Sequence, residues 1–312
     1  MSTHDRPRIE AKSSGWASGA GQPCPACSGN DVVGTGLTTQ GRYRLWSCAD
    51  CATQFFDDSA VGYGDSQSHY KWESYKLDVY KNEAVRRAFE LRYRALLDRA
   101  EPAGGSLGSV LDVGCGIGNF VAFAGRLGLR AIGSDVSPRA VEEARSQGLD
   151  VVLADDLDVA VPDGSMDAMT LWDVIEHVQD PAAFLARLVP KVRPGGVLLL
   201  ETPDGEFPVR SMLLRLNRWT RGKIDLTGPM YYWEHKIYFS EKGLRALLRR
   251  CGAEVVHVER QTSVREKMQQ EFAHKRSLKG RVLQLTWPVL ELVFRRAGRG
   301  NKLLLIARRA SA

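Results

Sequence analysis

Leu111-Asp112-Val113-Gly114-Cys115-Gly116-Ile117-Gly118-Asn119-Phe120 is the stretch on which the fold turns. An apolar run, VLDVG at 110–114, enters a turn with glycine at alternate positions and leaves into an amphipathic segment over 119–127. Glycine adopts backbone angles closed to other residues, and its missing side chain lets the chain pass close to a ligand. The order strand, glycine turn, helix is that of a nucleotide-binding loop. The spacing is G-x-G-x-G, not the G-x-G-x-x-G of dinucleotide folds. Asp112 stands two residues before the first glycine, and Asp135 closes the next apolar run, RAIGSD. A carboxylate at that second place can take both hydroxyls of a ribose. Asp155, with Asp156 beside it, ends the run after that.

Outward from the loop, strand and helix patterns alternate. PRAVEEARSQG reads as a helix with Ser137 capping it, Pro138 in its first turn and Gly148 past its end. DVVLAD and MDAMTLWD read as strands. Asp180-Pro181 starts a helix to about Val192, and GVLLLET follows Pro194-Gly195 as a fifth strand. SEKGLRALLRRCG is a helix capped by Ser240, AEVVHVER a sixth strand and KLLLIARR a seventh. Strands spaced by helices of this length predict an α/β protein with a doubly wound, Rossmann-like seven-stranded sheet.

The matching stretches LDVGCGIGNF, GSDVS, LADD, DAMTLWDVIEHVQDP, VRPGGVLLLETP and GLRALLRRCGAEVV span about 110–260. Together they resemble the class I S-adenosylmethionine-dependent methyltransferases. The resemblance implies that Gly114, Gly116 and Gly118, with Cys115 between them, line the methionine and ribose of the cofactor. It implies Asp112 at the amino-acid end, Asp135 with Val136 at the ribose, Asp155 and Asp156 at the adenine, and Trp172 under the sulfonium. Cys115 reads as a small residue filling the turn, and Cys251 as a packing residue at a helix end.

Cys24-Pro25-Ala26-Cys27 and Cys48-Ala49-Asp50-Cys51 form a C-x2-C…C-x2-C pattern. That spacing predicts a structural Zn2+ held by four thiolates, with no open position for chemistry. A module of this size buries little core, so the metal would supply its folding energy. The expected organisation is a disordered tail over 1–22, a zinc ribbon over 23–57, and an aromatic connector and helix over 58–104. The methyltransferase domain follows over 105–312, with insertions at about 205–238 and 262–300. A zinc ribbon ahead of such a domain resembles a bacterial group that modifies sugars, glycan precursors and secondary metabolites, sugar C-methyltransferases among them. The chain is shorter than those C-methyltransferases, which favours oxygen as the acceptor atom.

Methyl transfer to a hydroxyl needs a base within reach of the acceptor. Ligands in such sheets bind beyond the carboxyl ends of the strands. Trp172-Asp173-Val174-Ile175-Glu176-His177 lies there, which makes Asp173 and His177 candidates. His235, in Tyr231-Tyr232-Trp233-Glu234-His235-Lys236, is the third. Either histidine can equally be a packed structural residue.

At 312 residues, 44% hydrophobic and 26% charged, the chain is neither fibrous nor disordered as a whole. Its net charge of +6 is divided: residues 1–204 carry −8 and residues 205–312 carry +14. Arg210, Arg215, Arg218, Arg221 and Lys223 alternate with Met212, Leu213, Leu214, Leu216 and Trp219. The apolar run Val282–Phe294 is flanked by Lys275, Arg276, Lys279, Arg281, Arg295, Arg296 and Arg299. Such mixtures suit a membrane interface, a phosphorylated or lipid-linked acceptor, or packing on the body of the protein. A polar N-terminus and the lack of a long apolar window predict a cytoplasmic protein, with peripheral contact at the inner face of the membrane. The expected acceptor is a small molecule or glycan, with O-methylation of a sugar or lipid-linked glycan precursor foremost. C- or N-methylation of a secondary metabolite, RNA methylation and non-catalytic cofactor binding are the alternatives. The ribbon is not basic and no N-P-P-Y-type signature follows the fourth strand, which argues against nucleic acid.

Overall fold

The computed structural model describes residues 22–39, 43–57, 79–100, 107–228, 230–231, 235–274, 288–289, 291–294 and 296–311. Three short strands come first: β1 (Val32–Thr39), β2 (Tyr43–Cys48) and β3 (Gln54–Phe56). Helix α1 (Glu83–Ala100) follows. The glycine loop joins β4 (Ser109–Val113) to α2 (Asn119–Arg126). Then come β5 (Arg130–Asp135), α3 (Pro138–Ser146), β6 (Val151–Leu153), β7 (Met166–Trp172), α4 (Pro181–Leu188) and β8 (Val192–Pro203). The last third holds α5 (Pro208–Trp219), β9 (Ile237–Tyr238), α6 (Glu241–Arg250), β10 (Ala253–Gln261), α7 (Arg265–His274) and β11 (Lys302–Arg309).

The expected seven-stranded sheet is present, in the order β10-β11-β8-β7-β4-β5-β6. Pairings from β8 to β6 are parallel, and β11 runs antiparallel between β8 and β10. Every residue of β4 is buried, as a parallel strand covered by helices on both faces requires. The chain leaves β4 toward β6 and returns to β7, so the order reverses between β4 and β7. Ligands of open parallel sheets bind at that crevice.

The expected caps are in place. Ser137 accepts from the Ala140 N–H at 3.2 Å and Ser240 from the Gly243 N–H at 2.9 Å. One boundary moves: α4 ends at Leu188, and β8 starts at Val192 and runs for 12 residues. Pro190 ends the helix hydrogen bonding early. Pro194-Gly195-Gly196 lies inside the strand as a bulge, where pairing jumps from Met166↔Val192 to Ala168↔Val197.

The cysteine-bearing strands are joined to the sheet domain by more than contact. β3 pairs antiparallel with β9, giving a second sheet in the order β1-β2-β3-β9. Cys24, Ala26, Cys48, Cys51 and Phe55 share one apolar core with Leu198, Leu244 and Leu247. Ser240, the cap of α6, also donates to the Cys51 carbonyl and lies 3.2 Å from the Thr53 hydroxyl. The first insertion supplies α5 and β9, and Arg210 of α5 lies over the rings of Tyr231 and Tyr238, at 5.0 and 4.1 Å. The tail, the connector bearing Tyr63, Tyr70, Trp72 and Tyr75, and residues 275–287 of the second insertion lie outside the described residues. Phe294 meets Phe207 edge-on at 5.0 Å, which brings the two insertions together.

Candidate active site

The glycine loop closes back on its own sheet. The Gly114 and Cys115 N–H groups both donate to the Ser134 carbonyl, at 2.7 and 3.0 Å. Gly114, Gly116 and Gly118 have φ of 74°, 54° and 80°, a region that favours glycine. A methyl group added at Gly114 would meet Val174 at 2.5 Å, and one at Gly118 would meet Leu149 at 2.5 Å. At Gly116 it would meet nothing within 4 Å. Two glycines therefore serve packing, and the middle one faces open space.

Asp135 sits buried at the end of β5 and accepts the Gly116 N–H at 2.8 Å and the Ser137 N–H at 2.9 Å. Asp112, at the end of β4, accepts the Thr170 hydroxyl at 2.6 Å. Burial pushes its carboxyl up to about 7, the Thr170 bond works against this, and Asp135 adds to the rise. Trp172 packs on Tyr93 and Phe120, ring centroids 4.7 and 5.5 Å apart, and its buried indole N–H has no hydrogen-bond partner among the described residues. Val136 is exposed, and Asp155 and Asp156 lie exposed on the turn after β6. The Cys115 thiol is half-buried against Gly133, and burial pushes it well above the usual thiol range.

Asp173 follows β7 with φ of 55° and is bonded to Lys302, with Lys267 at 4.0 Å. Lys302 also lies 3.9 Å from Glu201, which pairs with Arg92 at 3.1 Å. Sequence reasoning did not reach Arg92, Glu201 or Lys302. A charged residue inside the apolar run GVLLLET, and another opening KLLLIARR, were the available signals for the last two.

Glu176, His177 and His235 come together beside this network. Glu176 and His177 sit on a short helical turn after β7, and His235 comes from the first insertion. Their ligand atoms all lie within 4.8 Å of one another, and the two imidazole rings meet edge-on at 4.7 Å. Glu176 is 0% exposed; one carboxylate oxygen accepts the Thr202 hydroxyl at 3.0 Å and the other has no hydrogen-bond partner among the described residues. Burial, and then the charge of Asp173, push its carboxyl up to about 8. The backbone holds the cluster together: the Lys236 N–H donates to the Glu176 carbonyl at 2.8 Å, and the Lys236 carbonyl accepts the Phe56 N–H at 2.9 Å. Of the three base candidates, His177 and His235 are thus brought together and Asp173 is tied to lysine.

The four ribbon cysteines converge as expected. Cys24 and Cys51 sulfurs are 3.6 Å apart, as are those of Cys27 and Cys48, and all four lie within 4.8 Å of one another. A tetrahedral ion with Zn–S bonds of about 2.3 Å holds its sulfurs about 3.8 Å apart. The residue after each pair, Ser28 or Ala52, has φ of 62° or 64°, and its N–H donates to the first cysteine's carbonyl at 2.9 or 2.8 Å. Two identical turns thus point four sulfurs at one centre.

Buried carboxylates face the loop, and open space lies over Gly116. A ligand bearing a ribose and positive charge fits that donor set, because its cation offsets the carboxylates' desolvation. Comparison with known proteins agrees. A family described as a methyltransferase domain matches residues 85–258. A ubiquinone biosynthesis O-methyltransferase of Xanthomonas axonopodis pv. citri is 39% identical over 168 residues, 51% of this chain and 67% of that protein. Its namesake in Xanthomonas oryzae is matched over only 42% of its length, so the chain spans less than half of that relative. Among solved structures, a SAM-dependent methyltransferase from Archaeoglobus fulgidus superposes with a TM-score of 0.50, at 18% identity, over 75% of this chain and 99% of that one. The plantazolicin methyltransferase BamL gives 0.51 at 15% identity, over 78% and 92%. The chain belongs to the methyltransferase-domain family and is a class I S-adenosylmethionine-dependent methyltransferase.

Proposed function

We propose that the chain O-methylates a small molecule, and that the acceptor hydroxyl loses its proton at the cluster of Glu176, His177 and His235. The identity to ubiquinone biosynthesis O-methyltransferases carries the choice of oxygen. No relative's name given above points to a sugar or glycan. The acceptor class is therefore a hydroxylated small molecule, with sugar hydroxyls one arm of the test.

Bound over the glycine loop, S-adenosylmethionine supplies a methyl group on a sulfonium. Gly116 would leave the room for it, and Asp135 would accept from its ribose. Asp112 would face its charged amino-acid end, Trp172 would serve its sulfonium, and Cys115 and Val136 would flank it on the loop. Asp155 and Asp156 would serve its adenine. Asp173 organises the site through Lys302 and Lys267. With the cofactor bound, its sulfonium would supply the methyl group to the acceptor oxygen, and the acceptor's hydroxyl proton would leave at the Glu176–His177–His235 cluster. The four ribbon thiolates would hold Zn2+, which would fix β3, and β3 pairs with β9 beside His235.

Helix α5 supports peripheral membrane contact. Met212, Trp219, Ile224 and Leu226 are exposed beside exposed Arg215, Arg218, Arg221 and Lys223. Apolar and cationic side chains on one surface suit an anionic interface, and an acceptor with an apolar tail would be met there. No helix among the described residues is long and apolar enough to cross a membrane.

The test is methyl transfer from radiolabelled cofactor to three acceptor sets: catechols and other phenols, sugars and glycolipids, and amines. Label in phenols supports the reading, label in sugars shifts the acceptor class, and label in amines alone overturns O-methylation.

A further inference from the structure

We propose that Glu176, His177 and His235 form a second metal site, distinct from the four thiolates, that takes a divalent ion of the manganese-to-zinc series. Two imidazoles and one carboxylate form a borderline donor set, which these ions prefer over magnesium or calcium. Three donors from two separate segments converge within 4.8 Å. A tetrahedral ion with bonds of about 2.1 Å spaces its donors about 3.4 Å apart, so the side chains need close by only about 1 to 1.5 Å.

The independent observation is the second carboxylate oxygen of Glu176. It is fully buried, it has no hydrogen-bond partner among the described residues, and it belongs to a side chain whose other oxygen is already held by Thr202. A buried carboxylate oxygen left without a donor is costly. A cation between it and the two imidazoles removes that cost. Thr202 then becomes the outer hydrogen bond that orients a metal-bound carboxylate.

The two sites differ in kind. The cysteine site is closed, with four protein ligands. The histidine site offers three, and His235 is only partly buried, so a fourth position would be open to a small ligand from the side of His235. Three protein ligands with one open position is the pattern of catalytic zinc. An ion there would lower the pKa of an acceptor hydroxyl placed beside it, so the proton that leaves at this cluster would pass to solvent without being taken up by the ligating imidazoles. That role rests on the O-methylation reading; the binding does not.

The experiment uses the full chain with its thiolate site already filled by zinc, titrated with Co2+. Cobalt ranks below zinc in affinity and leaves the thiolates occupied. The expected result is one added Co2+ per chain with visible ligand-field bands and no thiolate-to-cobalt charge transfer. Glu176→Gln, His177→Ala and His235→Ala should each weaken that binding at least about tenfold while zinc content stays unchanged. His235→Gln, at the partly buried position, serves if the buried variants fail to fold. Absence of a second ion at millimolar Co2+, or unaltered affinity in the His235 variants, overturns the site. Failure of binding leaves O-methylation standing. Binding without any O-methyl product removes the proposed function and leaves the metal site.

Discussion

The glycine loop and the cysteine ribbon are both built on left-handed turns, but they hold them by opposite means. In the loop, Gly114, Gly116 and Gly118 take φ of 54° to 80°, where glycine meets no side-chain penalty. In the ribbon, Ser28 and Ala52 take 62° and 64°, a conformation that costs an ordinary residue about 1–2 kcal/mol. The loop's shape is therefore intrinsic to its sequence and exists before the cofactor arrives. The ribbon's shape has to be imposed, and an ion at the four-sulfur centre, as proposed, would impose it. The loop should outlast loss of its ligand, and the ribbon should not.

The harshest way to break this comparison is to deny the ribbon the ion its thiolates are proposed to hold. Structural zinc sites supply about 10–16 kcal/mol at neutral pH, as much as the 5–15 kcal/mol that holds a typical domain together. Cys51→Ser, or prolonged chelation, should expose residues 22–57 to proteolysis and hydrogen exchange. The loss should spread to Ile237–Tyr238, because β9 pairs with β3, and should abolish methyl transfer through His235. Cofactor binding, measured by calorimetry, should survive within about tenfold, since Gly116 and Asp135 touch no ribbon residue in the bonds described. Loss of both functions together would show that the two regions are one folding unit.

Within the loop, two substitutions of one type should separate packing from binding. Gly118→Ala adds left-handed strain and an overlap with Leu149, at about 1–2 and 1–3 kcal/mol. It should lower the melting temperature by several degrees. Gly116→Ala meets nothing within 4 Å and should change stability by only about 1–2 kcal/mol. It should nonetheless weaken cofactor binding at least about tenfold, because its methyl group enters the space assigned to the ligand. Equal effects of the two on stability and on binding would refute the division of labour. Asp135→Asn should follow, weakening cofactor binding by about 1.5–3 kcal/mol, the range for a hydrogen bond to a charged group.

Much of the sheet could be read from the chain. VLDVG, RAIGSD and MDAMTLWD each carry their own strand signal, and Ser137 and Ser240 announce the helices they cap. The four cysteines could be read too, because two short pairs specify the cluster locally. The Glu176–His177–His235 cluster could be read only as separate candidates. It forms because Lys236 bridges Glu176 to Phe56, and that contact depends on β3 finding β9 across 181 residues of chain, from Phe56 to Ile237. No local pattern records the pairing of a three-residue strand with a two-residue one. Arg92 escaped for the same reason: a helix surface arginine and a buried one look alike until the strand bearing Glu201 is in place.

Asp112 carries the comparison into solution conditions. Its carboxyl holds a proton up to about 7 in the folded protein, while the unfolded chain releases it near the ordinary value of 3.8. Between those values the native state binds more protons than the unfolded one, so stability should fall as pH rises through that window. Asp112→Asn should flatten this slope in urea titrations run from pH 4 to pH 8. Saturating cofactor should flatten it as well if its charged end lies at Asp112. A slope that persists with cofactor bound would move the amino-acid end elsewhere.

The smallest effect tests the premise most directly. If the sulfur centre holds Ala52 in a conformation it would otherwise avoid, Ala52→Gly should relieve about 1–2 kcal/mol of strain, less the backbone entropy of about 0.5–1 kcal/mol that glycine adds to the unfolded chain. The net gain is about 0–1.5 kcal/mol, and it belongs to the ribbon alone. It should appear as a slower release of zinc to a chelator, with the melting of the sheet domain unchanged. Ser28→Gly should act in the same direction, because its turn has the same hydrogen bond and nearly the same φ. Faster release in both would mean that the left-handed turns are not held under strain by the metal, and that the ribbon, like the loop, keeps its shape without it.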